Sequence, residues 1–288
     1  MNLTLGLAGL HLAVSAPRDL PVSRELAKFA VSGPPDIAVE LSWDWNAMPL
    51  PQGEPDGGDD LQVFYLRPGC LCCVTKGGWK GPLAACWYWP GRRRLLCLVN
   101  AQTFPGFPQS MDSAFSLLPM RAVLMDQGVV FLHAARISAG GRGILFCGPS
   151  GMGKTTQATL WQQYRQARIL SSDRMLARRQ GGEWTAYGYP LDGSAPVAST
   201  ETCPLGAVVL LAQAPDNQVT PLSPGLALPR LMPQLVMETW NPDRRAAGAQ
   251  LLLDLLADIP AYRLACTPDR RAVDCLANRL ISDGVLEP

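Results

Sequence analysis

The chain of 288 residues carries 25 basic and 24 acidic side chains, so its formal net charge at pH 7 is +1. A chain this close to neutrality gives no electrostatic reason to expect nucleic acid or a membrane surface as a partner. Hydrophobic residues make up 48% of it, which is enough to bury the core of one large domain or two modest ones.

The first residues and the cysteines bear on the compartment. Met1–Val14 is apolar but lacks a basic n-region and is interrupted by Gly6 and Gly9, so we expect no secretory signal. No stretch reaches the roughly 18 apolar residues that would span a bilayer. The nine cysteines lack the paired spacing of a zinc site and are typical of free thiols that pack as small hydrophobic side chains. These features predict a cytoplasmic protein.

Residues 1–127 have a β-rich pattern, which we interpret as a scaffold or recognition region. Strands are predicted over Asp36–Trp43 and Leu61–Arg67, and a hairpin that turns at a Pro-Gly pair is predicted over Ala84–Asn100. Pro49–Asp60 is dense in Pro, Gly and Asp, so we expect an exposed loop there.

The end of this region has a helical pattern over Ser110–Gln127. Ser110 is the predicted N-cap and Gly128 the stop. Because Pro119 falls in the middle, the pattern fits either one kinked helix or two short ones.

From about residue 128 apolar strands alternate with helices, which predicts an α/β domain with a mixed sheet over residues 128–288. Strands are predicted over Val129–Ile137, Gly143–Cys147, Ile169–Asp173, Leu205–Ala212 and Tyr262–Cys266, with a hairpin around Gly181–Gly182. Helices are predicted over Lys154–Arg165 and after Asn241-Pro242-Asp243 and Thr267-Pro268-Asp269, each triplet supplying a cap, a proline and an acid.

The segment Gly148–Thr155 fits the Walker A or P-loop pattern G-x-x-x-x-G-K-[ST] and lies between a predicted strand and a predicted helix. Glycines let the backbone curl so that successive N–H groups point at anionic oxygens, and the helix N-terminus adds positive charge. We therefore predict that ATP binds to Gly148, Ser150, Gly151, Met152, Gly153, Lys154, Thr155 and Thr156. Lys154 would reach the β- and γ-phosphates.

A P-loop also needs an acid to hold Mg²⁺, and Asp173 closes the predicted strand one helix beyond the loop. The Thr155 hydroxyl and Asp173 are thus the predicted metal ligands. Alternatively, Asp173 begins a turn or pairs with Arg174. His133, on the strand before the loop strand, is either a core histidine or a group at the rim of the phosphate site.

The stretch from His133 to about Gln234 resembles the HPr serine kinase/phosphorylase superfamily, specifically the bacterial HPr-kinase-like branch that includes kinases of ribosomally made peptides such as lasso precursors. The resemblance spans about a third of the chain. It rests on Leu132-His133-Ala134-Ala135, Gly148–Gln157, Ile169-Leu170-Ser171-Ser172-Asp173-Arg174, Tyr187-Gly188-Tyr189-Pro190 and Pro204–Leu211.

This resemblance implies a P-loop kinase fold of the HPr kinase/PEP carboxykinase type, with ATP as donor, Mg²⁺ as metal and a serine-type hydroxyl as acceptor. It also implies that His133 lies close to the reacting phosphate, and relatives of the HPr type form hexamers, which leaves a homo-oligomer open. One position departs from the HPr kinases, which carry two adjacent carboxylates where this chain has Ser172 and Asp173. A serine cannot accept the substrate proton as a carboxylate does.

The functional prediction is an ATP-dependent kinase, with Asp173, His133 and Lys154 as catalytic groups and a peptide or protein hydroxyl as acceptor. Asp192 is a further candidate for the base, with the cap of a turn as its alternative role. The alternatives are a nucleotide-binding accessory or regulatory module without phosphate transfer, a kinase of a small molecule such as a free amino acid, and a carboxykinase-like decarboxylation. Ser172 favours the accessory module, whereas the presence of Lys154, Thr155, Asp173 and His133 counts against it.

Overall fold

Two compact units make up the fold in the computed structural model, which describes residues 1–191 and 199–287. The first unit comprises Met1–Asp126 and the short segment Glu238–Pro242, and the second comprises Gln127–Met237 and Asp243–Pro288. Each unit contains its own mixed β-sheet, flanked by helices, so the chain is a mixed α/β protein.

The first unit is built on an eight-stranded sheet, in which the strands Leu10–Ser15 and Ile37–Ser42 alternate between buried and more exposed side chains. Its strands are β1 (Asn2–Leu7), β2 (Leu10–Ser15), β3 (Ile37–Ser42), β4 (Gly57–Gly58), β5 (Gln62–Arg67), β6 (Cys70–Lys76), β7 (Pro82–Trp89) and β8 (Arg94–Val99). They pair in the order β1-β2-β3-β8-β7-β6-β5-β4, with β3 parallel to both of its neighbours. The predicted hairpin at the Pro-Gly pair is confirmed as β7 and β8, joined by a 3₁₀ turn over Pro90–Arg92.

The apolar N-terminal residues, for which the sequence suggested no element, form the β1–β2 hairpin. Ala8 and Gly9 make its two-residue turn with φ values of 51° and 71°. Such paired positive angles match the right-handed twist of the strands they join.

Three helices belong to the first unit: α1 (Arg24–Ala27), α2 (Met111–Phe115) and α3 (Met120–Asp126). The predicted helical segment is therefore two short helices, divided at Pro119. Ser110 caps α2 as predicted, because its Oγ accepts from the Ser113 N–H at 3.2 Å and the Ser113 Oγ accepts from the Ser110 N–H at 3.1 Å.

The segment Glu238–Pro242 completes the first unit from a distant part of the chain. The Trp240 ring lies 5.5 Å from the Phe64 ring, and a Cβ on Gly57 would come within 2.2 Å of the Trp240 ring. Only glycine therefore fits at position 57. In the same segment Glu238 is 2% exposed, and its Oε1 lies 3.7 Å from Nε of Arg121.

The second unit interleaves strands with helices, as the sequence predicts. Its elements are β9 (Val129–Ala139), β10 (Arg142–Cys147), α4 (Lys154–Arg165), β11 (Arg168–Ser171), β12 (Arg174–Gln180), β13 (Glu183–Gly188), β14 (Cys203–Gln213), β15 (Gln218–Leu222), α5 (Pro224–Leu231), α6 (Pro242–Asp258), β16 (Ala261–Cys266) and α7 (Arg270–Ser282), with a 3₁₀ turn at Met232–Gln234.

The strand pairings of this unit include a closed circuit. The order is β10-β9-β12-β13-β14-β16-β15, with β11 against β9, and β10 also pairs with β14. Strands β10, β14 and β16 run parallel, so their carboxyl ends lie at the same edge. Trp161 of α4 packs 6.3 Å from Phe146 of β10, which seats the helix on the buried strands.

Three features of the second unit differ from the sequence prediction. The edge strand β15 and the helix α5 were not predicted, since they contain Pro221 and Pro229 respectively. The N-cap of α7 is Asp269 rather than Thr267, because Asp269 accepts from two N–H groups of the first turn. Thr267 is held instead by Asn217, whose Oδ1 accepts from the Thr267 N–H at 3.0 Å. None of the helices in the described ranges is long and apolar enough to cross a membrane.

Candidate functional site

The predicted phosphate-binding loop connects the end of β10 to the start of α4. Gly151 and Gly153 have φ values of 78° and 99°, which side chains other than glycine rarely adopt. Gly153 is the N-cap of α4 and has no side chain with which to occupy the first N–H groups of the helix. These N–H groups thus stay available for an anion.

Lys154 is the first residue of α4 and is 8% exposed. Its Nζ donates to the carbonyl oxygens of Gly148 at 2.9 Å and Pro149 at 3.3 Å, so the ammonium is folded back over the loop. Burial lowers the pKa of Lys154, and the negative charge of Asp173 opposes that shift.

Asp173 lies in the short turn between β11 and β12, and His133 lies on β9. The antiparallel pairing of β9 with β12 places Arg174 opposite His133, which brings the preceding Asp173 to the imidazole. Nε2 of His133 contacts Oδ1 of Asp173, while Nε of Arg174 lies 3.7 Å from Oδ2. Asp173 therefore pairs with Arg174 and also contacts His133.

These groups share one open cleft of about 280 Å³ with a largely polar wall. It is lined by His133, Ser150, Gly151, Gly153, Lys154, Thr155, Thr156, Ser172 and Asp173. Two of the predicted loop residues, Gly148 and Met152, do not line this cleft. The carbonyl oxygen of Gly148 accepts a hydrogen bond from Lys154, and Met152 lines a neighbouring cleft. The candidate base Asp192 lies outside the described residues.

The chemistry of the donors suits Mg²⁺. The cleft holds the Thr155 hydroxyl and the Asp173 carboxylate, both hard oxygen ligands. In residues 1–191 and 199–287 no cluster of three or more His, Cys, Asp or Glu side chains could hold a metal by itself. Mg²⁺ commonly takes only one or two protein ligands and completes its shell with phosphate oxygens and water, so the residues present fit.

The sequence reasoning missed Arg136, a fully buried arginine on β9. Its Nη1 donates to the carbonyls of Ala186 and Glu201, both at 2.9 Å, and its Nη2 lies 3.5 Å from the carbonyl of Leu170 on β11. The side chain thereby ties the strand before Asp173 to β13 and to the segment that precedes β14. The sequence could have indicated such a role, because Arg136 is a charged residue inside an apolar run and a buried charge needs several hydrogen-bond partners.

Comparison with known proteins places the chain in a family. The model of the family described as "SynChlorMet cassette protein ScmC" matches residues 108–271, more than half of the sequence. This α/β protein therefore belongs to the ScmC family. No curated protein matches it.

One solved structure that matches part of the chain is the HPr(Ser) kinase/phosphatase from Coxiella burnetii. It has a TM-score of 0.34 and 8% identity, over 54% of this chain and 98% of that one. A likeness this weak carries no functional conclusion, so the HPr-kinase-like branch stays a prediction from the sequence.

Proposed function

We propose that this protein is an ATP-dependent kinase that transfers the γ-phosphate to a serine- or threonine-type hydroxyl on a peptide or protein. One observation carries the proposal. Part of the Walker A loop and the residue after it share a single cleft with Asp173 and His133, namely Ser150, Gly151, Gly153, Lys154, Thr155 and Thr156. Phosphoryl transfer needs chiefly positioning and charge neutralisation, and this cleft provides a cation, helix N–H groups and a carboxylate.

Lys154 and the start of α4 form the anion-binding part of the proposed site. The ammonium bonded to the loop carbonyls would exchange these bonds for β- and γ-phosphate oxygens, which are charged and thus stronger acceptors. The unoccupied N–H groups after Gly153 would bind the same phosphates. Mg²⁺ held by Thr155 and Asp173 would neutralise charge on the transferring group.

Asp173 and His133 form the acceptor side. The carboxylate sits between His133 and Arg174, so its orientation is fixed before substrate arrives. We assign it the positioning of the acceptor hydroxyl as well as metal binding, with His133 orienting the carboxylate. Ser172, which lines the cleft, lacks the basicity to replace a second carboxylate.

Ser172 also favours a second candidate function, a nucleotide-binding accessory module that does not transfer phosphate. Both functions require the loop to bind ATP, and they differ only in turnover. A small-molecule acceptor such as a free amino acid would leave the same cleft chemistry in place.

The first experiment measures ATP–Mg²⁺ affinity by calorimetry for the wild type, Lys154→Ala and a control. Losing a charge-assisted contact worth about 2 kcal/mol should weaken binding about 30-fold. Lys80→Ala, at an exposed lysine of the first unit, is the matched control and should bind like wild type. Equal affinity of Lys154→Ala and wild type would refute the proposal.

The second experiment follows transfer of labelled γ-phosphate to a pool of serine- and threonine-containing peptides. Asp173→Asn keeps the side-chain shape but removes the charge, so transfer should fall by about 100-fold or more. Asp254→Asn, an exposed carboxylate on α6, is the control. ATP binding with no transfer to peptides, proteins or amino acids would establish the accessory module instead.

A further inference from the structure

We propose that a second cleft, beside the loop, binds the adenosine part of ATP, an inference that rests on the proposed function. This cleft measures about 420 Å³, within the roughly 300–1,000 Å³ of small-molecule sites. It is lined by Gly151, Met152, Gly153, Thr156, Gln157, Ala212, Gln213, Ala214, Cys266, Thr267 and Pro268.

The location of this adenosine cleft follows from the sheet. Its walls come from the loop after β10, from the last residues of β14 and β16 with the residues that follow them, and from the first turn of α4. The three strands are neighbours and run parallel. In open α/β sheets, ligands bind at the carboxyl ends of the strands. The cleft therefore lies where a nucleotide held by the loop can extend.

The two clefts share a wall. Gly151, Gly153 and Thr156 line both of them, so the loop separates a polar compartment from a more apolar one. A nucleotide has this same division, with an anionic triphosphate at one end and a largely apolar base at the other. One ligand spanning the shared wall would satisfy both compartments.

The lining has the chemistry of a base site. Met152, Ala212 and Pro268 offer apolar surface for a flat ring. Gln157 adds an amide that is 2% exposed, with Nε2 lying 3.3 Å from Sγ of Cys266. Its Oε1 accepts no hydrogen bond from the residues that the structure describes, and a buried polar atom of this kind is costly unless a ligand or water completes it.

Hydrogen bonds between the walls hold the adenosine cleft in shape. The Gln213 amide donates to the carbonyl of Gly151 at 3.4 Å, and the Ala214 N–H donates to the carbonyl of Cys266 at 3.2 Å. Asn217 donates to the Thr267 hydroxyl at 3.0 Å. A preformed cleft loses little entropy when it binds a ligand.

A first test uses the full-length protein without substitution. Cys266 is partly exposed in the cleft, whereas Cys70 is partly exposed in the first unit. Bound ATP or ATP–Mg²⁺ should slow maleimide labelling of Cys266 at least about fivefold and leave Cys70 unchanged, as read by peptide mass spectrometry. Tripolyphosphate at saturating concentration should protect Cys266 much less. Equal protection by both ligands, or by neither while ATP is bound, would overturn the proposal.

A second test fills the cleft. Ala214→Trp should weaken ATP binding at least about tenfold and leave tripolyphosphate affinity unchanged. Ala247→Trp, at an exposed position of α6, is the matched control and should change neither. Unaltered ATP affinity in a folded Ala214→Trp protein would overturn this inference alone. A wild type that binds neither ATP nor tripolyphosphate would overturn the proposed function as well.

Discussion

His133 and Asp173 meet because two antiparallel strands place Arg174 opposite the histidine. That register joins residues far apart in the chain, so no local pattern specifies it, and the sequence left the role of His133 open. The loop Gly148–Thr155 could be predicted because consecutive residues fix its backbone. Arg136 could not be assigned, since its partners are carbonyl groups of three separate segments.

Replacing the histidine tests whether it orients the carboxylate. For His133→Gln we expect phosphate transfer to fall at least about tenfold while ATP affinity changes little, because the imidazole contacts Asp173. His11→Gln, at the other histidine of the chain, is the control. A large loss of ATP affinity in His133→Gln would contradict the assigned role.

Replacing the buried arginine tests its contribution to stability. Arg136→Met should lower the free energy of unfolding of the second unit by about 2–4 kcal/mol, because several buried carbonyls lose their donor. Arg263→Met, at an exposed arginine on β16, should change it by less than about 0.5 kcal/mol. Urea titration of both variants makes the comparison, and similar midpoints would contradict it.

At the scale of elements, strong local signals gave reliable predictions and mixed ones did not. The β7–β8 hairpin and α4 were predicted because an apolar pattern ends at turn residues or at the glycine loop. Strand β15 is short, contains Pro221 and lies at the sheet edge, so its pairing with β16 outweighs its sequence preference. The cap of α7 was misplaced because tertiary bonds to Asn217 engage Thr267.

The capping box at α2 gives a prediction for the first unit. Ser110→Ala should destabilise this unit by about 1 kcal/mol, because the Ser113 N–H loses its acceptor. Ser110→Asp keeps an acceptor at the helix N-terminus and should retain most of the stability. Thermal unfolding followed by circular dichroism separates the two, and equal losses in both variants would argue against a capping role.

Asp283, at the end of α7, should make the stability of the second unit depend on pH. The hydrogen bond from Tyr262 and that from Arg279 hold the pKa of Asp283 below its ordinary 3.8. Since the folded pKa is the lower one, this stabilisation is complete above pH 3.8 and is lost as pH falls through the folded value.

We expect the wild type to be more stable than Asp283→Asn near pH 6 and the difference to shrink towards pH 3. Urea unfolding at several pH values measures it. Because the carboxylate is largely solvent-exposed, added salt should reduce the difference at pH 6. A difference that stays constant with pH would contradict the assignment.

At the scale of the whole molecule, the alternation of strands and helices gave the mixed α/β class, but the closed circuit of strands did not follow from it. The circuit requires β10 to pair with β14 as well as with β9, and the β10–β14 pairing joins segments about sixty residues apart in the chain, such as Phe146 and Val209. Gly143 allows this closure, since a Cβ there would lie 2.9 Å from Sγ of Cys203. Such a requirement is visible only once the strands are placed.

The nine cysteines offer a test of both cores together. All are free; Cys70, Cys266 and Cys275 are partly exposed, and the rest are buried. Burial raises the pKa of Cys147 to about 12, which further slows its reaction. Brief maleimide treatment at neutral pH should add three labels to the native protein and nine after denaturation, read by intact mass. Fewer than nine labels without reductant would indicate disulfides.

The return of Glu238–Pro242 to the first unit affects the order in which the protein can fold during synthesis. A chain that has left the ribosome only as far as Asp126 still lacks Trp240 beside Phe64 and Glu238 beside Arg121. Domains usually fold one after another from the N-terminus as they emerge. Here the N-terminal unit is complete only after Pro242 has been translated, which is after most of the second unit. A gene cut after Asp126 would encode an N-terminal fragment that lacks Trp240 and Glu238.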